Sequence, residues 1–160
     1  MNYAGVDKID SQKRFLAFPH PIIIMSVVSL ISWLKNPYEG KRAEVRVNTL
    51  RARDIVLMCV FSAIVTVIFY FILAAFGTEN LVPSTLSVTT SFVAVYLTFK
   101  RSPYFALAYA CNDVVLILLW TLAGMTDTKY IPVMICFVSF LANDIYGFLC
   151  WQKMKKRQRK

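Results

Sequence analysis

The sequence predicts an all-α membrane protein, and three observations predict it. Apolar residues make up 58% of the 160 residues, above the ~45–50% of ordinary soluble domains. They fall in blocks of about 20, the length that a ~30 Å hydrocarbon core demands, rather than in a helical or alternating period. The basic residues behind the net charge of +9 concentrate in loops beside those blocks, as they do in the cytoplasmic loops of membrane proteins.

The elements follow in order. Residues 1–14 are a polar N-terminal segment, and the first apolar block lacks a small-residue cleavage pattern, so no cleavable secretion signal is expected. That block, 15–34, is interrupted by Pro19-His20-Pro21, which leaves 22–34 as its clean run. Such a run reaches only ~20 Å, so a partial or re-entrant helix is expected. Spanning in full would leave Lys8, Lys13 and Arg14 outside, against the charge rule. Residues 35–53 form a basic loop carrying Lys35, Lys41, Arg42, Arg46, Arg51 and Arg53.

Four spans are expected at 54–76, 82–99, 103–124 and 131–151, joined by GTEN, KRS and MTDTK. Connections this short make neighbouring helices antiparallel. Lys and Arg fix the orientation: the 35–53 loop, Lys100-Arg101 and the basic tail 152–160 belong inside, and the other two loops outside. The expected location is a cell membrane, multi-pass, with the C terminus cytoplasmic.

Several function classes are excluded by what the chain lacks. The four cysteines lie within apolar blocks with no CxxC or Cys/His spacing, where Cys acts as a small hydrophobe. There is no Gly-rich phosphate loop, HExxH or paired histidine, and the only histidine, His20, reads as a boundary residue. The basic tail lacks the interleaved aromatics that stack bases. No enzyme, cofactor, metal or nucleic-acid partner is expected.

Chemistry concentrates on two polar pairs. A charged side chain at the bilayer centre costs about 2.5–3.5 kcal/mol on insertion scales. Yet Asn112-Asp113 sits mid-span, and Asn143-Asp144 sits in the last span. Such residues face a bundle interior or a wet cavity. Each pair has a Trp seven positions after its Asp, Trp120 and Trp151. Tyr109, Asn112, Asp113 and Trp120 share one helix face, as do Phe140, Asn143, Asp144, Gly147 and Trp151, with Tyr146 at its edge. Rings alternating with carboxamides and carboxylates suit a flat heterocycle bearing a hydroxylated sugar.

A blander reading stands beside this one. Asn and Asp can hold helices together, and Trp120 and Trp151 can be interface anchors, Trp151 above all beside its basic tail. Against it, the spans hold no Lys or Arg to pair with the carboxylates, which then need a cationic partner, a proton or a wet path. In the second span Ser84, Ser87, Ser91, Ala94 and Thr98 form a small-residue stripe for close packing. Thr89 and Thr90 lie near mid-helix, within reach of a solute.

The stretch STLSVTTSFVAVYLTFKRSPYFALAYACNDVVLILLW, followed by YIPVMICFVSFLANDIYGFLCWQKMKKRQ, resembles the C-terminal half of the PnuC family of nicotinamide riboside transporters. The forms of Gram-positive bacteria are the most similar. The segment IIIMSVVSLISWLKNPYEGK resembles the end of that family's third helix. The resemblance implies a 3+1+3 SWEET-like fold, two three-helix bundles joined by a linker helix. Residues 54–76 would be the linker and 82–151 the second bundle, preceded by part of an upstream helix. It further implies a bacterial cell membrane, facilitated diffusion of nicotinamide riboside, and a substrate held between bundles near the midplane.

The solute-contacting residues would then be Tyr109, Asn112, Asp113, Trp120, Asn143, Asp144 and Tyr146, with Thr89 and Thr90 at the margin. Two alternatives remain: a carrier of thiamine, riboflavin or a deoxynucleoside, or a non-transporting scaffold or inactive fragment. Many family members carry W-x-x-W-x-x-x-D/N on the sixth helix, and placing its acidic position on Asp113 puts Ala106 and Tyr109 at the two tryptophans. The chain lacks most of a first bundle, which implies either a partial sequence or a half-transporter pairing with a second copy.

Overall fold

The computed structural model describes residues 19–159 apart from Gly40 and Glu79. The polar segment 1–14, residues 15–18 and the side chain of His20 therefore lie outside the described residues. The chain is mostly helical: α1 (Pro19–Leu34), α2 (Ala52–Ala75), α3 (Leu81–Phe99), α4 (Phe105–Thr126) and α5 (Ile131–Gln158). A 3-10 turn, Thr128–Tyr130, leads into α5. A hairpin of β1 (Pro37–Tyr38) and β2 (Lys41–Val45) joins α1 to α2.

Helices α2 to α5 are long and apolar enough to cross a membrane. Their lengths of 19 to 28 residues give ~28–42 Å at 1.5 Å per residue. Burial supports the same conclusion. In α2 the only buried residues are Asp54 and Ser62, while Val56 and Phe71 are 60% and 66% exposed. A helix with polar groups inside and large apolar groups outside is stable only where lipid is the solvent. The protein is a multi-pass membrane protein.

Packing between spans relies on small residues, as it must where lipid tails remove the hydrophobic drive between helices. Among the described residues, the buried apolar ones are Ala94, Leu97, Pro103, Ala106 and Ala110. Helix α4 lies in the middle, with α3 on one side and α5 on the other, and α2 packs on α3. At the α4–α5 crossing, a Cβ built on Gly147 would stand 3.9 Å from the Ala106 Cβ.

The basic segments gather at one end of the helices. Lys100 at the end of α3 binds Asp54 at the start of α2, with Nζ to Oδ1 at 2.8 Å. There Lys155 of α5 also lies over the Tyr104 ring, 5.2 Å from its centroid. Both contacts require antiparallel neighbours.

The helix expected within 15–34 is described from Pro19 to Leu34. Two features depart from the sequence reading. The basic loop is ordered by its hairpin, and that hairpin is tied to α5. Gln158 donates from Nε2 to the Val45 carbonyl at 3.0 Å and accepts from the Val47 N–H at 2.8 Å. Beside it, Arg157 pairs with Glu44. Most of the basic tail is therefore helical, and α5 runs on to Gln158 with Lys155, Lys156 and Arg157 in its last turn, where cations complement the helix dipole.

Candidate functional site

Because α4 is the central helix, its polar pair is buried: Asn112 is 7% exposed and Asp113 5%. The two neighbours are used differently. The Asn112 Oδ1 accepts from Ser87 Oγ at 3.0 Å and from Thr90 Oγ1 at 2.8 Å, both on α3. Thr90 also lies 2.9 Å from the Leu86 carbonyl. Asn112 thus joins α4 to the small-residue stripe. Thr89 turns the other way, its hydroxyl 2.7 Å from that of Thr66 on α2. Intramembrane hydrogen bonds contribute roughly 0.6–1.7 kcal/mol each. Asn112→Leu, nearly isosteric, is therefore expected to destabilise the protein by about 1–3 kcal/mol. Thermal denaturation in detergent checks this, and adding Ser87→Ala to the Leu variant should cost little more.

Asp113 has no such partner. Its Oδ2 is buried without a hydrogen bond, and Asp144 on α5 is near enough for its charge to act on it. The two carboxyl groups therefore lie within electrostatic range of each other across the α4–α5 interface. Two turns further along α4, ~10 Å by helix rise, the Trp120 Nε1 is also buried and unpartnered. The Trp120 ring lies 5.4 Å from that of Tyr130, which covers the end away from the basic residues. Buried polar groups are nearly always hydrogen-bonded, so an unpaired acceptor and donor on one face need a cause. A carboxylate here complements a cation, and an indole N–H complements a hydroxyl or carbonyl. Among the described residues, no group of three His, Cys, Asp or Glu gathers to hold a metal ion.

The other expected residues divide. Tyr109 shares the Asp113 face and meets Phe105 edge-on at 6.4 Å. Asn143 is exposed, and Tyr146 and Phe140, also on α5, are 68% and 55% exposed. Trp151, read as an interface anchor beside the basic tail, packs with Trp33 at 5.4 Å and Phe105 at 4.9 Å. Trp33 also donates from Nε1 to the Thr98 carbonyl at 3.0 Å. This aromatic cluster closes the basic end beneath Tyr109. Sequence reasoning passed over Trp33, whose only signal was a Trp at the end of an apolar block beside a basic loop. Ala106, 2% exposed, faces Gly147 rather than open space.

Known proteins are similar to this chain. The chain is 27% identical over 134 residues to the nicotinamide riboside transporter PnuC of Neisseria mucosa, covering 81% of this chain and 51% of that one. It therefore spans about half the length of that curated relative. The crystal structure of the vitamin B3 transporter PnuC superposes with a TM-score of 0.68 at 24% identity, covering 86% of this chain and 60% of that one. This likeness extends over the apolar helices and so concerns the fold. The sequence model of the nicotinamide mononucleotide transporter family matches residues 20–153, a stretch that includes α2, α3, α4 with its buried Asn112-Asp113 pair, and nearly all of α5. By that match, the chain belongs to the nicotinamide mononucleotide transporter family.

Proposed function

We propose that the protein carries nicotinamide riboside, or a closely related pyridinium nucleoside, across a bacterial cell membrane by facilitated diffusion. The observation that carries this reading is the buried, unpartnered carboxylate of Asp113 beside Asp144, within a chain of this family. Nicotinamide riboside is a permanent cation with a flat ring and a hydroxylated sugar. Asp113 and Asp144 balance its charge, Tyr109 and Trp120 offer ring faces, and the Trp120 N–H meets an oxygen of the solute. Asn143 and Tyr146, on the outward face of α5, complete the contacts where a facing wall approaches. Asn112, with Thr90, acts by holding α4 in place, and Thr89 ties α3 to α2. No covalent step is involved.

The arrangement that suits this role is 3+1+3 and SWEET-like, with α2 as linker and α3 to α5 as one bundle rocking against another. The second wall comes from a further bundle or from a second copy in a homo-oligomer. The clustered Lys and Arg put the basic end, including the C terminus, in the cytoplasm. The test is uptake of labelled nicotinamide riboside by cells lacking their own carrier, with competition by thiamine, riboflavin, a deoxynucleoside and nicotinic acid riboside. Nicotinic acid riboside keeps the ring and sugar but gains a carboxylate, so it is expected to compete at least tenfold more weakly, about 1.4 kcal/mol. Equal competition by it would remove the role of charge. Stronger inhibition by thiamine would keep the site and change the solute.

A further inference from the structure

The basic end holds a polar cavity whose lining is separate from the face that carries Asp113. It is about 580 Å³ and is lined by Asn36, Arg46, Asn48, Thr49, Arg51 and Arg101, with Val47 and Leu50 between them. Among the described residues, its lining therefore brings together three guanidinium groups and no carboxylate. The acids close by are engaged: Asp54 binds Lys100 at 2.8 Å, and Glu44 pairs with Arg157.

Arg101 is the residue that most needs a cause. Its Nε and Nη1 are buried with no hydrogen-bond partner. Burial and the Arg46 charge beside it both disfavour its charged form, yet a guanidinium stays protonated. Its backbone is also strained, with φ at +55°. Here α3 ends in a Schellman turn: Ser102 N–H donates to the Leu97 carbonyl and Arg101 N–H to the Thr98 carbonyl, both at 3.0 Å. The left-handed position of that turn normally belongs to glycine. The Arg101 carbonyl accepts from the Asn48 N–H at 3.1 Å, which fixes the strained residue against the cavity wall. Strain of this kind and an unpaired buried charge each destabilise the fold, and they coincide at one side chain.

We propose that this cavity binds a phosphate group, held by the guanidinium groups of Arg46, Arg51 and Arg101 that line it. Planar guanidinium matches phosphate oxygens in pairs, and Asn36, Asn48 and Thr49 leave polar room for what the phosphate is attached to. The phosphate comes either from a soluble phosphomonoester or from an anionic lipid headgroup. This proposal does not rest on the transport reading, and its test involves no transport.

The experiment measures the melting temperature of the purified chain in two arms. One adds inorganic phosphate or adenosine 5′-monophosphate, against sodium chloride at equal ionic strength and adenosine. The other compares phosphatidylcholine nanodiscs with and without phosphatidylglycerol. A rise in the first arm assigns a soluble phosphomonoester, and a rise only in the second assigns a headgroup. Arg101→Gly is expected to lose the rise in either case, its affinity weakened about tenfold or more. Without ligand that variant should melt about 2–4 °C higher, since glycine relieves the left-handed strain. This also shows that it folds. Arg101→Lys, which keeps charge without the planar guanidinium, should retain part of the rise. No rise in either arm, or a rise that survives in Arg101→Gly, overturns the proposal.

Discussion

Asp113→Asn is expected to abolish uptake of nicotinamide riboside while making the protein harder to unfold. The substitution keeps shape and changes charge. The Asp113 carboxylate is buried with Oδ2 unpartnered and lies within electrostatic range of Asp144. Removing an unsatisfied buried charge recovers about 1–3 kcal/mol, a rise of several degrees in melting temperature for a chain of this size. The same charge is what the proposed reading sets against the pyridinium. Losing one partner of a desolvated charge pair costs about 2–5 kcal/mol, at least ~30-fold in affinity. Labelled uptake and detergent melting curves measure the two effects separately. Opposite signs are the signature of a group kept for function at the expense of stability. Loss of uptake with a lower melting temperature would instead make Asp113 a structural residue, and unchanged uptake would remove it from the solute.

The contrast between Asp113 and its neighbour shows how far a sequence can be read. The spans were legible because lipid imposes their length and composition residue by residue, as the exposed Val56 and Phe71 illustrate. Asp113 was legible for the same reason, since a carboxylate at that depth violates the rule its surroundings obey. The different employment of Asn112 was not legible. It depends on which α3 hydroxyls come within 3.0 Å, and helix periodicity does not specify a neighbour's register. Periodicity also gave α5 a face without saying what lies opposite it. Asp144 meets α4, whereas Tyr146, two residues on, is 68% exposed. The repeated Asp-to-Trp spacing likewise suggested equivalence, but Trp151 sits in the cluster with Trp33. The hairpin escaped because its ordering partner, Gln158, is 113 residues from Val45.

Ala106→Trp is expected to be the most disruptive single change in the bundle. Many family members place a Trp at the position that Ala106 occupies, so the substitution looks conservative by family pattern. Its surroundings here make it otherwise. Ala106 is 2% exposed, and across the crossing even a Cβ added to Gly147 would already be in van der Waals contact with it at 3.9 Å. Overpacking by even a few methylenes costs about 1–3 kcal/mol and occasionally more, and an indole is far larger. Gly147 has no side chain to give up, so no rotamer change on α5 makes room. The ring fits only if α5 moves away from α4, and that movement carries Asp144 from Asp113 and Trp151 from Phe105. Melting temperature and uptake should therefore fall together, unlike the opposite signs expected for Asp113→Asn. Ala106→Gly separates packing volume from helix propensity, since it adds no bulk and costs only about 1 kcal/mol. If Ala106→Trp melted like the parent chain, α4 and α5 would have room at this crossing for a ring, and stacking could return to position 106. If it melts well below, Tyr109 is left as the aromatic nearest Asp113 on that face of α4.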